Sequence, residues 1–362
     1  MVQMSDGRGL VSGTYTNTNH PLDRETWLHE CFPGWGSYLN KQIQSYQVPK
    51  GQVAMWWIQG ASWILKTDEG GILWIDMFAG GSGYTEISSC GVCRQCGADS
   101  LNWLNLPPVI IDPWEFGRLD ACLITHVHQD HCDIYSVKAA AQTNNCPFYG
   151  PKTVTKRLSE FEVPDQRIHE VTVGDTFEVP GATVQVLPCY DDTAIRTGGG
   201  KGLLPYDDCC VSYLIKTSAG NILFTGDTWY NDGYAYFPDF FDIDVVTTDM
   251  GYNRPGATDK MSPYDVVRLA DALQCKVIIP DHYENLAHTA WDPSLLIDQF
   301  ERLAGEMIPD ITPCIMQLGG MYQYPRDKEM RRYRHPSGAV NVDKTRVPNY
   351  MKLAEKFTPR EK

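Results

Sequence analysis

The sequence predicts an α/β fold, and three observations carry that prediction. Short apolar runs rich in β-branched and aromatic residues recur at 53–58, 62–66, 72–76 and 211–216, each bounded by turn residues. Segments with helical spacing lie among them at 151–161, 262–274 and 293–305. A chain of 362 residues with 43% hydrophobic content can bury one large core or two modest ones. The run Val53-Ala54-Met55-Trp56-Trp57-Ile58 opens the strand set, followed by 62–66 and 72–76. Further strand-like runs stand at 121–124, 182–187, 221–224 and 276–280. The helix at 262–274 has Ser262 as its N-cap and Pro263 in its first turn, where a missing N–H is harmless.

Directly after Ala121-Cys122-Leu123-Ile124 comes Thr125-His126-Val127-His128-Gln129-Asp130-His131. Histidine is scarce, nine in the whole chain, yet three fall in this one loop. A tight turn at a strand exit lets His126 and His128 point one way while Asp130 and His131 point another. One loop then supplies ligands to two neighbouring cations. Three later strand-like runs end in ligand types: 182–187 in Pro188-Cys189-Tyr190-Asp191, 221–224 in Thr225-Gly226-Asp227-Thr228, and 276–280 in Asp281-His282.

The pattern His-x-His-x-Asp-His resembles the signature of the metallo-β-lactamase superfamily, and the downstream pieces follow in that superfamily's order, with Asp191 where a third histidine is common. Arg24-Glu25-Thr26-Trp27, the segment 32–40, Ala54-Met55-Trp56-Trp57, Gly150-Pro151-Lys152-Thr153, Thr258-Asp259-Lys260-Met261 and Gln317-Leu318-Gly319-Gly320 narrow the likeness. Together they resemble the bacterial L-ascorbate-6-phosphate lactonases over residues 22–333. The chain departs from that family at Val127 and Gln129, which are not ligand positions, and at Asp192 and Cys209, where the family carries arginine. Arginine binds phosphate through a bidentate fork, so these two positions bear on whether the substrate is phosphorylated.

The resemblance implies the metallo-β-lactamase αβ/βα four-layer sandwich, a layering that periodicity alone does not provide. It also implies a hydrolase that opens the lactone ring of a phosphorylated sugar acid. The expected ligands are His126, His128 and Asp191 on one metal and Asp130, His131 and His282 on the other. Asp227 bridges them, and Asp130 and Asp227 are the expected catalytic carboxylates. Two cations sharing a water lower its pKa from about 15.7 toward neutrality, giving a hydroxide to attack the lactone carbonyl. The resemblance implies manganese, and a carboxylate at 191 with no cysteine ligand hardens the site in the same sense. Zinc is the alternative. Substrate-binding candidates are Arg196 and Lys201 in the Gly-rich stretch 196–202, together with Asn253, Arg254 and Lys260. Another lactone, an ester or a phosphodiester are the alternative substrates.

The formal net charge of -14 argues against nucleic acid or an anionic membrane as partner, since both reward a basic face. A small anionic substrate needs only a local positive patch. No apolar stretch reaches the roughly 18 residues of a membrane span, and the first residues lack a basic region followed by an apolar core, so a cytoplasmic enzyme is expected. One hydrolase domain over residues 20–345 is expected, because a cut between His126 and His282 would divide the site. A Gly, Ser, Thr and Asn-rich arm at 1–19 precedes it, a tail at 346–362 follows, and a homo-oligomer is expected. Of the twelve cysteines, most lie in strand-like runs and read as buried free thiols. Cys90, Cys93 and Cys96 stand apart with metal-like spacing but no nearby fourth ligand; a flexible or merely reduced loop is the first reading and a structural metal the second.

Overall fold

A computed structural model of the chain describes residues 37–79, 109–197, 203–251, 253, 258–284 and 293–333. The expected arm and tail, the Cys90, Cys93 and Cys96 segment, Lys201 and Arg254 lie outside these residues. In chain order the elements are α1 (Ser37–Ser45), β1 (Val53–Gln59), β2 (Ser62–Thr67), β3 (Ile72–Ile75), β4 (Ala121–Leu123), α2 (Ile134–Thr143), β5 (Phe148–Gly150), α3 (Lys152–Glu160), β6 (Ile168–Glu170), β7 (Thr176–Val179) and β8 (Ala182–Pro188). There follow α4 (Asp192–Thr197), α5 (Tyr206–Cys209), β9 (Val211–Thr217), β10 (Gly220–Phe224), β11 (Val245–Asp249), α6 (Pro263–Leu273), β12 (Val277–Asp281), α7 (Pro293–Met307), β13 (Thr312–Pro313) and β14 (Met321–Tyr324).

The strands form two seven-stranded sheets, ordered β14-β1-β2-β3-β4-β5-β6 and β13-β12-β11-β10-β9-β8-β7. In β1 the alternate residues Val53, Met55 and Trp57 enter the core shared with the second sheet, where they join Val184, Val186, Tyr213 and Ile222. Ala54, Trp56 and Ile58 point the other way, to a second core with Leu39 and Ile43 of α1 and Tyr135 and Val137 of α2. Both faces are therefore apolar. A strand buried on two sides shows no polar alternation, which is why its pattern in the sequence is a continuous run. Beyond the second sheet, α6 lies on β11 and β12 and packs against α7 through Val266, Leu269, Phe300 and Ala304. The order helix, sheet, sheet, helix is the predicted four-layer sandwich.

The predicted elements fall close to the observed ones. Ser262 caps α6 in a full capping box, its hydroxyl accepting from the Asp265 N–H while the Asp265 carboxylate accepts from the Ser262 N–H. The helix expected at 151–161 is the shorter α3, with Pro151 at its N-cap. The eight described cysteines are buried and free, in line with reduced thiols. Among the described residues no helix is long and apolar enough to cross a membrane. Among the charges of 326–332, Arg326 pairs with Asp327 and Arg332 with Glu301.

Candidate metal centre

All candidate ligands stand at the exits of strands β4, β8, β10 and β12, at one rim of the two sheets. The His126 loop begins where β4 stops. Its backbone joins the second sheet through the His126 and Cys210 bridge and through Val211 N–H donating to Thr125 O at 3.0 Å. Beneath it lies Asp76, fully buried just after β3 with a positive φ of 47°. Its carboxylate accepts from Thr125 N–H at 2.7 Å, from the Thr125 hydroxyl at 2.8 Å, and meets His131 Nδ1 at 2.8 Å. With Thr125 donating to Asp76, His126 Nδ1, 3.0 Å from the same hydroxyl oxygen, is left to donate to it. Both rings then present Nε2 as an electron pair, the form a metal requires.

The other ligand candidates arrive on equally constrained backbone. Asp191 Oδ1 accepts from Ala194 N–H at 2.8 Å, which turns Oδ2 toward His126 Nε2 at 3.6 Å and His128 Nδ1 at 4.0 Å. Gly226 has a φ of 65°, and a Cβ there would lie 2.7 Å from the Thr125 Cβ. Only glycine lets the β10 exit pass so close to the histidine loop, and this turn aims Asp227 inward. His282 itself adopts a φ of 63°. It is held by its N–H donating to Gly60 O at 3.2 Å, while its neighbour Asp281 accepts from Trp63 Nε1 at 2.7 Å. The first sheet's β1–β2 turn thus grips the second sheet's last ligand candidate.

Ligand atoms of His126, His128 and Asp227 lie within 4.8 Å of one another, as do those of Asp130, His131 and His282. Asp227 joins the two groups, with Oδ1 3.3 Å from both His131 Nε2 and His282 Nε2. Asp130 Oδ2 stands 3.2 Å from His282 Nε2. Inside this cluster His126 Nε2, His131 Nε2, Asp191 Oδ2, Asp227 Oδ1 and His282 Nε2 are buried without a hydrogen-bond partner among the described residues. Buried polar atoms are seldom left unsatisfied, so five converging on one point fit a set of metal donors. The donors suit a dinuclear metal site.

Electrostatics agree. Burial, with the neighbouring histidines adding to it, holds His126 well below the usual imidazole range, and burial brings His128 down to about 4. For His131 and His282 burial pulls in the same direction, but the carboxylates together, Asp227 with Asp76 and Asp130 at His131 and Asp227 with Asp130 at His282, outweigh it and both lie above their ordinary value. Burial pushes Asp191 upward, with Asp259 and Asp227 adding repulsion, and pushes Asp259 to about 6. Asp227 goes well below the usual carboxylate range against its own burial, through His282, Lys260 and His131. Buried carboxylates crowd around few cations, an arrangement that bound divalent ions relieve.

Among the described residues, Lys260 alone of the substrate candidates enters the centre: it is buried, and its Nζ contacts Asp227 Oδ2. Asn253 acts one step back. Its Oδ1 accepts from the N–H groups of Asp259 and Lys260 at 2.8 and 2.9 Å, and its amide donates to Lys260 O at 2.6 Å, so it shapes the turn that carries the lysine. Arg196 is exposed on α4, donating to Asp192 O at 2.9 Å and Thr258 Oγ1 at 3.4 Å. Sequence reasoning missed Asp76, and it missed Asp249, whose carboxylate accepts from Thr228 and Met261 N–H at 3.0 and 3.1 Å and so ties the Asp227 turn to the Lys260 turn. The available signal was an aspartate at the end of a strand, just after β3 for Asp76 and as the last residue of β11 for Asp249.

The fold and its paired clusters define a metal-dependent hydrolase of the metallo-β-lactamase type. A model of the beta-lactamase superfamily domain matches residues 96–283. The chain is 34% identical over 337 residues to the "Probable L-ascorbate-6-phosphate lactonase UlaG" of Shigella boydii serotype 4, covering 88% of this chain and 94% of that protein. Its counterpart in Escherichia coli O45:K1 gives the same identity and coverage. The chain belongs to the beta-lactamase superfamily and, within it, to the family of these lactonases. Among solved structures, an isothiocyanate hydrolase from Delia radicum gut bacteria is similar with a TM-score of 0.56 at 17% identity, covering 74% of this chain and 98% of that one. Igni18, a metallo hydrolase of Ignicoccus hospitalis, reaches 0.51 at 14% identity over 75% and 98%. At such identities these two speak for the fold alone.

Proposed function

We propose that this hydrolase opens the ring of a sugar-acid lactone, with L-ascorbate 6-phosphate as the first substrate to test. The observation that carries this reading is the relationship to proteins named as lactonases over nearly their whole length. His126, His128 and Asp191 hold one divalent cation, Asp130, His131 and His282 the other, and Asp227 both. Manganese is the proposed metal and zinc the alternative. Two cations bound there supply an ionised water at neutral pH and polarise the scissile carbonyl. Asp76 and Thr125 hold the imidazoles in the ligand tautomer. Lys260 places a positive charge beside Asp227, where the negative charge of an anionic substrate or of the opening ring is stabilised in a water-poor site. Asn253 positions Lys260, and Arg196 stands outside as a surface contact for the substrate's far end.

A second reading, an unphosphorylated lactone, is favoured by Asp192, whose carboxylate accepts the Tyr206 hydroxyl beside Asp191 and brings negative charge to the rim. Protein loaded with manganese or with zinc decides among these when given L-ascorbate 6-phosphate, unphosphorylated lactones and a generic phosphodiester. The proposal expects ring opening of the phosphorylated lactone to be fastest. A faster unphosphorylated lactone selects the second reading, and turnover of the phosphodiester alone rejects both. Self-association and a cytoplasmic setting belong to the same proposal. Sedimentation and cell fractionation test them.

A further inference from the structure

Cys122 and Cys146 lie on the outer, helix-covered face of the first sheet, away from the metal donors. Cys122 is the middle residue of β4, its register partner on β5 is Phe148, and its N–H donates to Pro147 O at 3.0 Å. Cys146, two residues before Phe148, is therefore its diagonal neighbour, and the two Sγ atoms are 3.6 Å apart. Arg167 is fixed against this pair. Its Nε donates to Cys146 O at 2.9 Å and its Nη1 to Ala141 O at 2.8 Å, near the end of α2, which leaves Nη2 3.8 Å from Cys146 Sγ. A guanidinium repels metal ions and favours a thiolate, so two thiols and an arginine form a redox constellation rather than a metal site.

The chain's other buried thiols provide the contrast. Burial pushes Cys132, Cys275 and Cys314 up to about 12, whereas the hydrogen bond from Cys122, helped by Arg167, brings Cys146 below the ordinary thiol value in spite of burial. Cys146 is 4% exposed, and with Trp114, Gln142, Asn144, Asn145 and Pro147 it lines a surface groove of about 820 Å³.

We propose that Cys146 and Cys122 are a modification site: a hydroperoxide oxidises Cys146, and Cys122 resolves the product to a Cys122–Cys146 disulfide. In the first step the Cys146 thiolate attacks one peroxide oxygen. The S–O bond forms, the O–O bond breaks, sulfur loses two electrons to the peroxide, and hydroxide, or alkoxide from an organic hydroperoxide, leaves and takes up the proton released by Cys146. In the second, Cys122 sulfur attacks the sulfenic sulfur, the S–S bond forms and the S–O bond breaks. The Cys122 proton departs with the hydroxyl as water, so two thiols and one hydroperoxide give one disulfide, one water and one water or alcohol.

The test treats the reduced full chain with equimolar hydrogen peroxide, alkylates the remaining thiols in denaturant, and maps the peptides by mass. The expected first product is the linked Cys122 and Cys146 peptide pair, formed at least about tenfold faster than Cys275 or Cys314 is oxidised, since thiolate fraction changes tenfold per unit of thiol pKa. Cys122→Ser leaves a sulfenic acid at Cys146 that a cyclic 1,3-diketone captures, and Arg167→Gln slows the oxidation. Oxidation of Cys146 no faster than of Cys275, or fast oxidation that never links it to Cys122, overturns the proposal. Should either variant unfold, the wild-type peptide map decides alone.

Discussion

The β1–β3 region and the rim of strand exits are built from opposite materials. From Val53 to Ile75 the strands bury Trp56, Trp57, Trp63 and Trp74 on two faces, and their indole N–H groups, where paired, meet neighbouring backbone or side chains such as Gly60 O, Asp281 and Ser62. At the rim the buried side chains are Asp76, Asp130, Asp191, Asp227 and Asp259 with four histidines and Lys260, on backbone with positive φ at Asp76, Gly226 and His282. The first region supplies hydrophobic stabilisation. The second consumes some of it, because buried charge and left-handed backbone are each unfavourable until ligands and hydrogen bonds compensate them. The comparison teaches that this chain separates stability from chemistry, with the β1–β2 turn as the point where one supports the other.

If that separation holds, changes at the rim alter activity more than stability, and changes in the strands do the reverse. His128→Ala is expected to lose more than about 100-fold in hydrolysis, beyond the 10–100-fold typical of residues that only support a ligand, with little change in the unfolding midpoint of the metal-free protein. Wild-type turnover would remove His128 from the ligand set. Trp56→Ala, on the face toward α1, is expected to lose about 3–5 kcal/mol in denaturant unfolding while the folded fraction keeps its metal content. Loss of metal with no loss of stability would break the comparison outright.

Asp76→Asn sits at the junction and sharpens it: metal affinity or activity should drop about 10–100-fold, read by titration with a competing chelator. An unaltered affinity would mean that Asp76 serves the fold alone. Asp191→His is expected to retain activity and to move the metal preference toward zinc by roughly several-fold, as an imidazole softens the donor set. Elemental analysis after growth in mixed metals reads this, and an unchanged profile argues that Asp191 is not a ligand.

The smallest effect belongs to the far end of the second sheet. There Asp244 accepts from Lys276 Nζ at 2.6 Å, Asn221 N–H at 2.7 Å and the Tyr324 hydroxyl at 3.0 Å. Burial opposes the charge, but these partners hold the carboxyl below its ordinary value. A carboxylate lowered in the folded state adds stability above its unfolded pKa, about 3.9, and loses it as the pH falls through the folded value. Asp244→Asn should therefore flatten the acid side of the stability curve by less than about 1 kcal/mol, the pair being part-exposed. An unflattened curve would assign the acid sensitivity to other carboxylates.

Much of the centre was legible because its chemistry is contiguous. His126, His128, Asp130 and His131 share one loop, and a loop's ligand spacing is a local property that any sequence displays. Asp191, Asp227 and His282 were legible only as strand ends in a known order, and Lys260 only through the family resemblance. Asp76 and Asp249 were not legible, since an aspartate after a strand is ordinary until the partner 49 residues away, as Thr125 is from Asp76, is seen in space. The same holds for the thiol pair, joined by strand register across 24 residues.

By itself the sequence determined the α/β class, eight of the fourteen described strands and three of the seven described α-helices, the Ser262 cap and the residue types of a two-cation centre, because each depends on neighbours within a few residues. Only the tertiary structure decided that both faces of β1 are buried, that Gly60 and Trp63 prop the turn at Asp281 and His282, that Asp76 orients two imidazoles, and that Lys260 rather than Arg196 reaches Asp227. Those facts depend on which distant segments pack together. That choice is made by the whole core rather than by any local pattern.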